Sequence, residues 1–567
     1  MNKQTILFSI LSVALLSLTA CSNDNNRTIG NEINAAQSIK FKVDFADYNS
    51  EQEVDVTRTT LGEVKLERRM VDLGNGILAQ CTLQRDTTRQ DKPATRVIPN
   101  DTYTMLAYDN ATHTFKGALT GTVAAGVFTS TSANKGIILE ASKTYDFVLF
   151  NSKVSRNGDN LTVTRGNADA ALIGRTTQTI AATPHEQKIT FTLKHVAAKV
   201  KIKLTGYMHF SGVTATLASV NATDVPTSSV YDASTGTWTI GAGAAVSENL
   251  TYGNSIALSG ANTGKYAVNS TKETIFMPST DISKLKLNFT AGNIYNIAMA
   301  SAGLTFNPST PLQLEQNGSY VLNINLMYRF LYLMNNGDIG TIEDTPYGGS
   351  GGTKTPIAVV LSRSKRMAIA LKDANNGAIM PWCSNAYQYV ITNVHAVGTG
   401  GVIGDYMNNA LVDAFSTNGK DETWEASYST GSIGVKATNP AFPAFNAAAS
   451  YDPGITYTGL PEPKWYLPSY SDWKWVFSAL GFGDKTSVTR MGEYSWYGNL
   501  ASVAFTQVGG TALALNKYYW SSSECWGDYG SRHAGIVQIK ISSMFWAAEA
   551  QFRTFYYFPL VRAFVAY

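Results

Sequence analysis

The sequence predicts a mainly β protein, with two tandem β-sandwiches followed by a mixed α+β domain. Three observations predict it. Apolar residues alternate with polar ones from Ile39 onward; turn-forming Gly, Asn, Thr and Ser recur at short spacing with no amphipathic helix before residue 350; and helical periodicity appears only after residue 355. At roughly 100 to 200 residues per domain, 567 residues suggest three or four cores. Charged residues make up 15% and hydrophobic ones 44%, which excludes a largely disordered chain. The 45 basic and 42 acidic residues nearly cancel to +3, with no run of five like charges to hold a phosphate backbone, so nucleic acid is excluded as a partner. Four cysteines make no disulfide framework in so long a chain, and none lies in a zinc-binding spacing, so neither metal nor cofactor is expected.

The first element is an address. Lys3 precedes an apolar run over residues 6–20 that is too short to span a hydrocarbon layer of about 30 Å, and its charge arrangement is that of an export signal. Leu18-Thr19-Ala20-Cys21 resembles a bacterial lipobox, whose cysteine thiol receives a diacylglycerol. Residues 1–20 are therefore read as a signal peptide, Cys21 as the lipidated residue and residues 21–35 as a flexible tether.

Strands come next. Ile39, Phe41, Val43 and Phe45 point one way with Lys40, Lys42 and Asp44 between them, which makes a half-buried strand. Tyr103 to Tyr108 and Tyr145 to Phe150 are further strands, the second apolar on both faces as in the centre of a sheet. They belong to a first sandwich over residues 36–186. From Ile189 to Leu204 the alternation changes phase: Ile189, Phe191 and Leu193 share one parity, and Val196, Ala198, Val200, Ile202 and Leu204 the other. A bulge near His195 or a crossing between two sheets would reconcile the halves, and His195 is read as structural. The domain boundary is placed just before this stretch, giving a second sandwich over residues 187–335. It closes with a single apolar face from Tyr320 to Tyr332, about 40 Å of strand that should end a sheet.

Residues 336–355, with Gly348, Gly349, Gly351 and Gly352, read as a flexible linker. Gly348 to Gly352 matches G-x-S-x-G but lacks the strand before and the helix after that an esterase elbow needs. In the third domain, residues 356–567, helical spacing appears at Met407, Ala410, Leu411, Ala414 and Phe415. It appears again at Trp473, Val476, Phe477 and Leu480, with Ser469 and Asp472 as a capping box and Gly481 as a stop.

Two resemblances follow from particular motifs. Ile98-Pro-Asn-Asp-Thr-Tyr-Thr-Met-Leu-Ala-Tyr108, Tyr145-Asp-Phe-Val-Leu-Phe-Asn151, Leu193-Lys-His-Val-Ala-Ala-Lys199 and Asn317-Gly-Ser-Tyr-Val-Leu-Asn-Ile324, in that order behind a lipobox, resemble the fimbrillins. These are pilus subunits of Bacteroidales with two transthyretin-like β-sandwich domains. The resemblance implies an outer-membrane lipoprotein precursor and proteolysis after an arginine that frees an N-terminal strand. It also implies other pilus subunits as partners, joined by donor-strand addition at the exposed edge. Arg58 is the candidate cut, with Arg27, Arg68 and Arg69 also upstream of the first internal strand.

Lys464-Trp-Tyr-Leu-Pro-Ser-Tyr-Ser-Asp-Trp473, Tyr519-Trp-Ser-Ser-Ser-Glu524 and Val561-Arg-Ala-Phe564 resemble C-type-lectin-like folds, which present an irregular surface on a compact frame. The Glu-Pro-Asn and Trp-Asn-Asp motifs of calcium-dependent sugar binding are missing, as is the cysteine pair of formylglycine chemistry.

Residues 524–532 and 545–558 set aromatic rings among short polar and charged groups, the composition of adaptable recognition surfaces. Trp526, Asp528, Tyr529, Arg532, Trp546, Glu549, Arg553, Phe555 and Tyr556 are the candidate binding residues, with Trp465, Leu467, Trp473 and Trp520 as scaffold. His533 lies beside that face and is read as an exposed loop residue. The six histidines form no catalytic or metal pattern, so no enzyme activity is expected. Cys81, Cys383 and Cys525 remain after lipidation; a Cys383 to Cys525 bridge stays open. The function expected is that of a fimbrial tip adhesin whose third domain binds an unknown glycan or protein, the alternative being a surface lipoprotein that captures such a target outside a pilus.

Overall fold

The computed structural model describes residues 32–48, 64–65, 70–85, 98–131, 136–181, 187–259, 264–307, 312–396, 418–526, 532–549 and 559–567. At residues 64, 65, 84, 85, 548 and 549 it describes the backbone alone. The signal peptide, Cys21, Arg58 and the helical spacing at 407–415 lie outside the described residues.

Ile39–Phe45 folds as its alternation predicts, with Ile39, Phe41, Val43 and Phe45 buried and the polar residues turned outward. It pairs parallel with Gln187–His195, from Ile39 opposite Gln187 to Phe45 opposite Leu193, and antiparallel with Val127–Ser130. By bridging those two strands it closes a ring. The order is Thr144–Asn151, Leu172–Thr179, Gln187–His195, Ile39–Phe45, Val127–Ser130, Phe115–Ala124 and Thr102–Asp109, which returns to the first. The first unit is thus a closed seven-stranded barrel rather than an open sandwich. Phe41 lies at its centre, with its ring centroid 6.0 to 6.3 Å from those of Phe128, Phe147 and Phe191.

The phase change marks a crossing. Gln187–His195 stays in the barrel, and Ala198–Gly206 enters an eight-stranded sheet. The first unit therefore runs through His195, not to 186, because the inward parity switches where the chain leaves one core for the next. The eight-stranded sheet contains Tyr266–Asn269, Ala198–Gly206, Ser319–Tyr328 and Ile77–Arg85 side by side. Ile77–Arg85, assigned from sequence to the first sandwich, lies in the second, paired over its whole length with Ser319–Tyr328. A five-stranded sheet built on Ser211–Ser219 and Leu285–Ile294 shares the core of this unit. A four-stranded sheet joins the units, setting Asn160–Thr164 of the first against Ser228–Asp232 of the second.

The apolar face from Tyr320 to Tyr332 is two strands, not one. Ser319–Tyr328 is central rather than terminal in its sheet, and Tyr332–Met334 begins the third unit by pairing with Pro356–Ser362. Arg329 stands at the break and bridges Asp72 (3.0 Å) and Glu343 (3.2 Å). The expected linker is packed structure. Ile339–Gly340 pairs with Tyr332–Leu333, and a Cβ on Gly348 or Gly352 would lie 2.4 or 2.2 Å from the backbone of residues 342–344. These glycines permit close approach instead of flexibility.

The third unit is mixed α+β. Its six-stranded sheet runs Ile339–Gly340, Tyr332–Met334, Pro356–Ser362, Met367–Ala370, Phe564–Ala566, Lys464–Tyr466, and its four-stranded sheet runs Gly492–Ser495, Ser543–Glu549, Arg532–Ile539, Tyr518–Trp526. Among the described residues no strand beyond 355 joins a sheet of the first two units. The helix foreseen at Trp473 spans Tyr470–Gly481 with the Ser469/Asp472 capping box formed. Its left-handed cap is Phe482 rather than glycine, and that ring enters the second unit 5.2 Å from Tyr328. Among the described residues no helix is long and apolar enough to cross a membrane.

Candidate functional site

Two regions carry the chemistry foreseen. The first is the slot filled by Ile39–Phe45. The strand supplies four apolar side chains to the barrel core, yet it is tied to its partners by backbone bonds and side-chain fit alone. Val43 donates its N–H to Gly126 (2.8 Å) and Ala46 to Leu193 (2.9 Å), which continues the ladder at both edges. Main-chain pairing with alternate side-chain sockets is the chemistry of strand addition, since any extended segment with apolar residues at alternate positions meets the same requirements.

The second region is the end of the strand pair Tyr518–Trp526 and Arg532–Ile539. Trp526 and Arg532 are register partners, and the guanidinium carbon lies 3.5 Å from the indole centroid, within cation–π range. Both are partly exposed. The structure brings these two candidates together. Glu549 ends its strand opposite Ala534, with only its backbone described. Asp528, Tyr529, Arg553, Phe555 and Tyr556 lie outside the described residues. Trp546 is a correction: it has no solvent exposure and packs edge-on against Phe477 (5.2 Å) and Tyr494 (5.7 Å). It shares the inward parity of Met544 on Ser543–Glu549 and so belongs to the core. His533 is likewise a buried strand residue opposite Cys525, not an exposed loop histidine. Trp465, Leu467, Trp473 and Trp520 are buried as scaffold. Cys383 and Cys525 are both buried, and no bridge joins them.

Beneath this ledge lies a polar network that the sequence reading missed. Ser521, Ser522, Ser523 and Glu524 are all buried. A Glu524 oxygen accepts from the backbone N–H groups of Thr392 (2.8 Å) and Asn393 (2.7 Å) and from the Thr392 hydroxyl (3.0 Å). Asn393 donates to the Ser522 carbonyl (2.8 Å) and accepts from the buried Lys436, while the Ser522 hydroxyl donates to the buried Glu422. Asp472 accepts from Gly419 (2.9 Å) and from the backbone of Ser469 (2.9 Å). Burial pushes its carboxyl pKa up, against those hydrogen bonds. Loop 391–393 and helix Gly419–Trp424 are thereby fixed to the strand that ends in Trp526. Four consecutive short polar residues between aromatic ones were the available clue, because such a run inside a strand must be satisfied by neighbours.

Among the described residues no His, Cys, Asp and Glu cluster could hold a metal. A cleft of about 330 Å³ separates the second and third units, with Tyr207, Tyr266, Trp496 and Tyr497 among its walls.

Residues 81–343, less than half of the chain, match a family model described as Fimbrillin-like. No curated protein matches. Among solved structures, a fimbrial protein of Bacteroides ovatus is similar at 12% identity and a TM-score of 0.21, over 94% of this chain and 100% of that one. A candidate cell adhesion protein of the same species is similar at 12% identity and a TM-score of 0.28, over 51% of this chain and 92% of that one. A fimbrial protein of Bacteroides vulgatus is similar at 14% identity and a TM-score of 0.26, over 42% and 90% respectively.

Proposed function

We propose that this chain is a fimbrial tip adhesin. Its first barrel accepts a strand from a neighbouring subunit, and its third unit is held outward to bind a host, microbial or glycan target. The fimbrillin-like character of residues 81–343 supports the pilus assignment. The observation that carries the tip position is the contrast between a strand of the first unit and a strand of the third. Ile39–Phe45 fills a slot that another extended segment could fill, whereas Phe564–Ala566 is held between Met367–Ala370 and Lys464–Tyr466 inside its own sheet. The first unit can receive a strand, whereas lending Phe564–Ala566 would dismantle the sheet of the third unit.

The order of the arginines refines the processing step. A cut after Arg27 would leave Ile39–Phe45 attached, because Arg27 precedes it. Cuts after Arg68 or Arg69 would also release Val64–Lys65, which pairs with Leu83 and Thr82 in the second unit. A cut after Arg58 frees the barrel strand and leaves that pairing in place, which favours Arg58. Before processing, lipid on Cys21 would hold the precursor at the outer membrane. The third unit, with two sheets and four α-helices among its described residues, suits a C-type-lectin-like frame, and the Trp526–Arg532 ledge is its recognition surface.

The test is the N-terminus of the chain recovered from purified fimbriae. It is expected at Thr59. A fimbrial chain that keeps residues 32–48 covalently attached would overturn the acceptor role, and absence of the chain from fimbriae would favour a free surface lipoprotein.

A further inference from the structure

The slot does not end with the four alternating apolar residues. Tyr48, three positions beyond Phe45, is 2% exposed although it lies past the end of the strand. Its ring stacks on the His195 imidazole at 4.0 Å and 9° between planes, and the Lys199 ammonium sits 4.2 Å above it. Its hydroxyl donates to Asp169 (2.8 Å). The preceding carbonyl, of Asp47, accepts from the Asn317 side-chain amide (3.0 Å), and the oxygen of that same amide accepts from the His195 backbone N–H (3.0 Å). His195 and Asp169 belong to the first unit, Lys199 and Asn317 to the second. Tyr48 therefore fills a socket at the joint between the units, in the same core cluster as Leu106, Phe150, Tyr231 and Met277.

A cut after Arg58 that releases Ile39–Phe45 removes Tyr48 with it. The socket is then left with a bare imidazole face, an ammonium and a carboxylate. An aromatic ring suits the first two, and a hydroxyl on that ring suits the third. The Asp47 carbonyl contact is supplied by the backbone of any residue.

We propose that the donor segment accepted by this chain carries a tyrosine three residues after the last of four alternating apolar residues, and that this tyrosine seats in the Tyr48 socket and fixes the two units relative to each other. The inference rests on the acceptor reading above and adds a rule for which partner strands fit. Four alternating apolar residues are common in β-proteins, so the tyrosine supplies selectivity that the barrel slot alone lacks.

The test uses the full chain with a specific protease site placed at residues 57–60, cleaved and then challenged with labelled synthetic peptides. One peptide carries residues 37–46, one residues 37–50, and two are Tyr48→Phe and Tyr48→Ala versions of the longer one. Entry of the 37–46 peptide upholds the acceptor reading by itself. The inference expects the 37–50 peptide to dissociate about tenfold more slowly, Tyr48→Ala to lose that gain, and Tyr48→Phe to keep part of it. Equal dissociation of the 37–46 and 37–50 peptides would overturn the inference and leave the acceptor reading standing. If no peptide enters, the acceptor reading falls and the inference with it. Since the changes are made in the peptides, no outcome depends on whether a mutant protein folds.

Discussion

Nε of Arg562 lies 2.8 Å from a carboxylate oxygen of Asp373, and the Arg562 side chain has no solvent exposure. Its remaining N–H groups donate to the carbonyls of Ala370 (3.3 Å), Thr511 (3.0 Å) and Ala512 (3.2 Å). One guanidinium thus ties the C-terminal strand to its sheet neighbour and to the loop after helix Gly498–Thr506. Removing one partner of a buried pair leaves the other uncompensated, so Arg562→Ala should destabilise the third unit by about 3–5 kcal/mol. Denaturant unfolding followed by tryptophan fluorescence reads this directly, because nine of the ten tryptophans lie beyond residue 355. A loss below about 1 kcal/mol would mean that the C-terminal strand is not locked.

Gly352 separates a packed joint from a flexible linker. A Cβ there would lie 2.2 Å from the Asp344 backbone, so Gly352→Ala should cost about 1–3 kcal/mol. In a solvated linker the same change would be neutral or slightly stabilising. Thermal unfolding of the two proteins side by side distinguishes the cases.

Acid should loosen the first unit before the third. Burial lowers the His195 pKa, more than the Asp169 carbonyl and the nearby Asp169 and Asp47 charges raise it, and Lys199 adds to the lowering. A histidine with a lowered folded pKa contributes stability above its unfolded value of about 6.5, and that stability is lost as pH falls through the folded value. Asp109, held below the usual carboxylate range by the N–H and hydroxyl of Thr112 and the N–H of Ala111, loses its contribution at still lower pH. Burial raises Asp373 and Asp472 instead, so their contribution is full below about pH 4 and is lost as pH rises through their folded values. Hydrogen exchange between pH 7 and 4 should therefore rise around residues 193–196 while residues 469–473 stay protected, and residues 109–112 should follow only below about pH 4. Uniform loss across both units would contradict this.

The two tryptophans singled out from the sequence should behave oppositely. Trp546→Ala empties a core position and should cost about 3–5 kcal/mol. Trp526→Ala and Arg532→Ala alter the exposed ledge and should stay within about 1 kcal/mol of the parent. On a glycan and host-protein array the two ledge variants should lose the parent's strongest binding. Retention of that binding by both would remove the ledge as the recognition surface.

Local rules were legible in the sequence, and long-range partners were not. Parity alone revealed Ile39–Phe45, and the spacing of Ser469 and Asp472 revealed the capped helix. The phase change at His195 marked a real crossing, but parity cannot say which core a strand joins, so Ile77–Arg85 was given to the wrong unit. Gly348 and Gly352 read as flexible because composition does not distinguish a glycine needed for close approach from one in a tether. At the candidate site, strand parity could have separated Trp546 from Trp526, since Met544 and Trp546 share a face. The burial of Ser522 and Glu524 could not be read locally, because Glu422, Thr392 and Asn393 lie 100 or more residues away in sequence.

The most direct measurement is immunogold labelling of intact fimbriae with an antibody raised against residues 356–567. On the proposed reading, a subunit whose first unit accepts a strand and whose third unit faces outward caps a polymer, so gold is expected at filament ends alone. Particles spaced along the shafts would contradict it.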